Sequence, residues 1–142
     1  MKSIEGVQYE IIEEFQAFDD WMDKYNYLIE LSKDLPSFDA KFKTNEHLIN
    51  GCQSKVWLHA DMEGDKVVFT ADSDAIIVKG IISLLIRVLS NRAPKEIMNT
   101  ELFFIDDIGL KQNLSPTRSN GLLSMVKQMK LYAIAYNAKT GL

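Results

Sequence analysis

The stretch KVWLHADMEGDKVVFTA, Lys55 to Ala71, decides the fold class. Val56, Leu58, Ala60 and Met62 alternate with Trp57, His59, Asp61 and Glu63, the period of a strand whose two faces differ. Glu63-Gly64-Asp65 is a turn signal, and Val67-Val68-Phe69-Thr70 reads as the return strand of a hairpin. Just upstream, His47 to Asn50 adds a short third strand. The expected sheet is therefore small, antiparallel and of about three strands.

The flanking segments change period. Downstream, Asp72, Ser73 and Asp74 are N-cap residue types, and acids there also suit the helix dipole. The segment that follows is apolar on most sides, from Ile76 and Ile77 through Ile81, Ile82, Leu84, Leu85 and Ile86 to Val88 and Leu89. A helix of that kind is normally buried, so it is expected to form the centre of the core. Gly80 within it costs about 1 kcal/mol of helix propensity against alanine, which points to a close approach by another element.

Upstream, Tyr9, Ile11, Ile12, Phe15 and Phe18 recur at roughly helical spacing, and Trp21, Tyr25, Leu28, Ile29 and Leu31 form a second such set. Asp19 or Asp20 suits the cap between them, and the second helix ends before Pro36. Toward the C-terminus, Pro94 can open a short helix ending near Asn99. Thr100-Glu101 can open another, closed by Gly109. Ser115-Pro116 caps a last helix to about Asn137, whose buried face is Leu122, Val126, Met129, Ala133 and Tyr136. The order is helices, a small sheet, then helices. The fold class is α+β, with the sheet packed against helices, and residues 1–142 read as a single domain.

Composition bounds the function. The chain has 142 residues, 46% hydrophobic and 25% charged, which suits one ordinary globular domain. A net charge of −4 gives none of the basic excess that phosphate backbones require, so nucleic-acid binding is disfavoured. The longest apolar segment, Ala75 to Leu89, is interrupted by Lys79 and Arg87 and is too short to span a bilayer. The N-terminus is acidic and lacks the apolar core of a signal peptide. A cytoplasmic protein that does not engage membranes is expected.

The single cysteine, Cys52, rules out an internal disulfide. It follows Asn50-Gly51, a pair that tolerates positive φ, and precedes the polar Gln53, Ser54 and Lys55. A free cysteine is commonly a small buried hydrophobe. This one instead falls in a loop between extended segments, where functional groups concentrate, and Lys55 would favour the nucleophilic thiolate. A cysteine hydrolase needs a base. His47 lies on the strand approaching the loop, whereas His59 lies farther along the departing one. A stand-alone cysteine enzyme using Cys52 and His47 is thus one reading.

A closed zinc or iron–sulfur site wants about four soft ligands, and one Cys with two His falls short, so no metal is expected. No P-loop or GxGxxG occurs, and SNGL at 119–122 is too short to cradle phosphate. Arg118 lies in the first turn of the last helix, where a cation opposes the dipole. It either pairs with an acid or points at a partner or the cysteine loop.

Three motifs can be read together: GCQSKVW at 51–57, DSDAIIVKG at 72–80 and LSPTRSNGL at 114–122. In order and spacing they closely resemble the SufE family, including its paralogue CsdE, over residues 8 to about 136. The resemblance implies an α+β fold similar to the IscU-type cluster scaffolds. It implies a non-enzymatic sulfur acceptor that takes persulfide sulfur from a SufS-type cysteine desulfurase, stimulates that enzyme, and passes the sulfur to an Fe–S scaffold complex. Pyridoxal phosphate would stay on the desulfurase, leaving this chain without a cofactor. Cys52 matches the acceptor. Gly51, Gln53 and Ser54 match the loop around it, and Asp74 and Arg118 match positions near that loop or on the desulfurase-facing surface. The chain itself is expected to be a monomer or weak homodimer.

Overall fold

The alternation at 56–71 does build a hairpin. In the computed structural model, which describes residues 2–50, 52 and 54–140, strand β1 (Val56–Glu63) pairs antiparallel with β2 (Lys66–Ser73). The register runs from Val56 opposite Ser73 to Glu63 opposite Lys66. Gly64 takes φ +61 at the turn, a conformation that glycine adopts without strain. One face of the hairpin, made of Val56, Leu58, Ala60, Val67, Phe69 and Ala71, is buried. The opposite face is partly open.

The third strand shrinks to an isolated bridge between Leu48 and Trp57, held by Ile49 N–H to the Val56 carbonyl and Leu58 N–H to the His47 carbonyl, both 2.9 Å. Pairing cannot extend backward because the preceding backbone is already turning. His47 and Leu48 N–H groups bond to the carbonyls of Thr44 and Asn45 at 3.1 and 3.3 Å. On the other edge Arg92 bridges Val67. Short segments therefore cover part of both edges of a two-stranded sheet, which limits edge-to-edge association.

Helices α1 (Ile4–Gln16) and α2 (Trp21–Ser32) start on side-chain caps. Ser3 Oγ accepts from Gly6 N–H at 3.0 Å, and Asp20 Oδ1 from Asp23 N–H at 2.9 Å. The buried stripe of α1 is Ile4, Val7, Gln8, Ile11 and Phe15. Tyr9, expected on that stripe, is 64% exposed and leans on Phe103 instead. Helix α3 (Ile76–Leu89) packs on β2 and against α2. A Cβ placed on Gly80 would sit 2.2 Å from the Leu28 carbonyl oxygen, so the close approach expected there is backbone against backbone. Arg87 reaches across to α1, with Nη1 3.0 Å from Glu14 Oε1. That guanidinium holds the Glu14 carboxyl below its usual range despite partial burial.

Helix α4 (Pro94–Asn99) lies where Pro94 places it. The next helix, α5 (Phe104–Asp107), begins later than Thr100-Glu101 suggests. The buried Gln8 explains the delay. Its amide donates to the Glu101 carbonyl at 3.1 Å and accepts from Phe104 N–H at 3.2 Å, satisfying backbone groups that a longer helix would use. Gly109, at φ +80, ends α5 and leads into α6 (Leu110–Asn113). Helix α7 (Pro116–Thr140) closes the core with Leu122, Met125, Met129 and Ala133. Its Tyr136 hydroxyl donates to the Ala60 carbonyl at 2.8 Å, fastening the helix to the hairpin. Among the described residues, no helix is long and apolar enough to cross a membrane.

Candidate functional site

The triplet Asp72-Ser73-Asp74 does not cap α3. Strand β2 runs through Ser73, and the cap residue is Ala75, with no side-chain cap bond. The reason lies at Lys55, the exit of the cysteine loop, whose backbone groups need partners. Lys55 N–H donates to Asp74 Oδ1 at 3.0 Å. Its carbonyl accepts from Ser73 Oγ at 2.8 Å and from Asp74 N–H at 3.3 Å. Asp72 turns to cations, 3.0 Å from Lys43 Nζ and 3.5 Å from Lys79 Nζ. Burial pushes its carboxyl up, but Lys43, the Ser73 N–H and Lys79 outweigh that and hold it below its ordinary value. The motif is a clamp on the end of the loop.

Cys52 is half-buried, and its thiol donates to the Gly121 carbonyl on α7 at 3.6 Å. The sulfur lines a small cavity of about 20 Å³ with Ser54, Val56, Val78, Ile81, Arg118, Gly121, Leu122 and Met125. That is room for about one water-sized atom. Desolvation there pushes the Cys52 thiol up, so the thiol form is favoured at neutral pH. Lys55, whose side chain is exposed, gives no sign of the thiolate stabilisation its position suggests.

Arg118 is exposed and lines the same cavity, and no acid pairs with it among the described residues. That places it beside the cysteine loop. Asp74 and Ser54 also lie at the loop, while Gly51 and Gln53 lie outside the described residues.

Gly121 is the residue that sequence reading passed over. A Cβ there would lie 3.4 Å from Cys52 Sγ and 3.5 Å from its Cα, ordinary contact distances, so Cys52 rests directly against the helix at this glycine. The signal was present, since a glycine inside a helix that is expected to pack asks what approaches it.

His47 does not reach the thiol. One ring nitrogen meets Thr44 Oγ1 at 3.1 Å and the other meets His59 Nδ1 at 3.0 Å. The structure thus brings together a thiol, an apolar cavity and an arginine, and among the described residues no base bonds the sulfur. Among the described residues, no group of three or more His, Cys, Asp or Glu gathers as a metal site.

Residues 9–133 match the family model described as SufE, Fe-S metabolism associated domain. The chain belongs to the SufE family. An uncharacterized SufE-like protein of Rhizobium etli is 42% identical over 126 residues, covering 85% of each chain. One from Synechocystis is 37% identical over 126 residues, covering 89% of this chain and 79% of the relative. A SufE-like protein of Arabidopsis thaliana, named as chloroplastic/mitochondrial, is 40% identical over 131 residues. The match covers 92% of this chain but only 35% of that longer plant protein. A solution structure of a hypothetical protein from Thermus thermophilus superposes with TM-score 0.74 at 21% identity, covering 91% of this SufE-family chain and 94% of the other. That likeness supports the α+β SufE-like fold. The family places the protein in Fe–S metabolism.

Proposed function

We infer that this SufE-family protein is a sulfur acceptor and relay working through Cys52. The observation that carries the reading is the single cysteine held in a loop, with its sulfur in an apolar cavity. Such a thiol is less reactive in this seating, because the thiolate is the nucleophile and partial burial favours the protonated form. It becomes reactive once the loop moves it into a more polar setting at a partner's surface. The apolar recess then shelters the product from water and from stray thiols.

The chemistry is exchange between thiols. The Cys52 thiolate attacks the outer sulfur of a persulfide on a desulfurase. The sulfur–sulfur bond breaks, and its electron pair stays on the desulfurase cysteine, which takes up a proton. Cys52 now carries the persulfide, and no net oxidation has occurred. Delivery to an Fe–S scaffold repeats the step with Cys52 as the leaving thiolate. Pyridoxal phosphate stays with a SufS-type desulfurase throughout, and this chain contributes no cofactor. The setting proposed is the cytoplasm.

Arg118 stands at the mouth of the cavity, free to meet an acidic or anionic group on the docking enzyme. In a coupled assay, Cys52→Ser is expected to abolish stimulation of a matching desulfurase. Arg118→Ala is expected to weaken it while leaving the denaturation midpoint unchanged. Full stimulation by Cys52→Ser would overturn the reading.

A further inference from the structure

Residues 39–50 fold over the open face of β1 and lead directly to the cysteine loop. Phe42 stacks on His59, with ring centroids 3.6 Å apart at 11°. Lys43 lies 5.4 Å over the Trp57 ring. At the end of this strap, four side chains form one hydrogen-bonded line. Thr44 Oγ1 is 3.1 Å from His47 Nδ1, His47 Nε2 is 3.0 Å from His59 Nδ1, and His59 Nε2 is 2.8 Å from Asp61 Oδ2.

The line has a direction. An ionised carboxylate can only accept, so His59 Nε2 carries a hydrogen toward Asp61. In the neutral ring His59 Nδ1 is then the acceptor and takes the His47 Nε2–H. His47 Nδ1 in turn accepts from the Thr44 hydroxyl. Every donor meets an acceptor while both rings are neutral. One added proton is also accommodated. His59 then donates to His47, which donates to Thr44, whose hydroxyl can turn. A second proton is not accommodated, because two ring N–H groups and two positive charges would face each other 3.0 Å apart.

We propose that His47 and His59 are positioning residues that latch the strap carrying the Cys52 loop, and that the latch opens when both imidazoles are protonated. The proposal rests on the sulfur-relay reading for its purpose, but its geometry is independent of that chemistry. The open strap takes up two protons where the closed one holds at most one, so acid favours opening. Other charged and titratable groups surround the pair. Asp61 lies on β1, and Glu46 lies on the strap. Lys127 and Tyr132 of α7 line the pocket that His47 also lines. Tyr136 feels the Asp61 charge. Lys41 lies 5.0 Å from the Phe42 ring, and Lys43 is held by Asp72. Imidazole alone among these types ordinarily titrates between pH 5 and 8.

Opening would release the bridge at Leu48 and its two bonds, Ile49 N–H to Val56 and Leu58 N–H to His47, which fix the base of the cysteine loop.

Hydrogen exchange followed by mass spectrometry tests this on the full chain, with rates corrected for intrinsic pH dependence and the β2 peptide as internal reference. Protection over residues 44–50 is expected to fall about tenfold between about pH 7.5 and 5.5 in the wild type. It should stay flat in His59→Gln, which bonds but does not titrate. Equal protection at both pH values in the wild type would overturn the proposal, as would the same fall in a folded His59→Gln. If that variant does not fold, His47→Gln decides. With one imidazole left, the closed strap can hold the same single proton as the open one, so protection should stay flat, whereas the wild-type fall refutes the latch. Exchange reads no sulfur, so failure of the relay reading leaves the result interpretable.

Discussion

Among the described residues, two helices carry an internal glycine against a distant part of the chain, and the two contacts differ in kind. At Gly80 the backbone of α3 lies against the backbone of α2, so that an added Cβ would meet the Leu28 carbonyl oxygen at 2.2 Å. At Gly121 the backbone of α7 lies against the side chain and Cα of Cys52, and an added Cβ would rest 3.4–3.7 Å from them, ordinary contact distance. The first contact cannot give without separating two core helices. The second joins a helix to a loop held by a handful of hydrogen bonds. Close packing makes the scaffold rigid. The loop rests on that scaffold without being part of it, which is what a group that must change its surroundings requires.

The largest expected effect comes from Gly80→Ala. Alanine gains about 1 kcal/mol of helix propensity. The clash has no flexible atom to relieve it, however, and the net loss is expected near the top of the overpacking range, about 3 kcal/mol. Urea denaturation measures it, and a stabilised variant would contradict the close approach. Next is Asp74→Ala, which leaves Lys55 N–H without its side-chain acceptor. A loss of about 1 kcal/mol is expected, together with faster alkylation of Cys52, because the loop is released at its exit. Unchanged labelling would show that the clamp does not restrain the thiol.

The pH dependence of labelling sharpens the same contrast. Burial raises the Cys52 thiol, so its protonated form is favoured in the folded chain. Stability from that seating is fully present below the unfolded-state value of about 8.5 and is lost as pH rises through the folded one. The iodoacetamide rate curve of the folded chain should therefore lie at higher pH than that of the urea-unfolded chain, and coincident curves would deny the burial. The smallest effect is expected from Gly121→Ala. Its added Cβ finds contact rather than collision, so stability should hold or rise by up to about 1 kcal/mol, with the thiol labelled more slowly. A loss like that of Gly80→Ala would mean that the two contacts are alike after all.

Much of this was legible in the chain. The hairpin, the core helix and the start of α2 followed from local alternation, amphipathic spacing and caps, because each depends on neighbours in sequence. The site was legible as three motifs but not as a geometry. Asp72-Ser73-Asp74 looks like a helix cap because cap and clamp use the same short acceptors. Which one forms depends on Lys55, whose unpaired backbone groups become visible only once the strands are in register. What Gly121 meets and the His47–His59 line lay out of reach for the same reason. Each joins residues far apart in sequence, 69 positions from Cys52 to Gly121 and 12 between the histidines. The late start of α5 follows from Gln8, 96 positions away, and no local propensity encodes it.

The central claim is that Cys52 receives sulfur from another protein's persulfide. Intact mass spectrometry after incubation with a SufS-type desulfurase, pyridoxal phosphate and L-cysteine tests it most directly. The account predicts the addition of one sulfur atom, removed by reductant and absent in Cys52→Ser. A chain that stays unmodified beside a turning-over desulfurase, or a Cys52→Ser chain that gains the same mass, would contradict it.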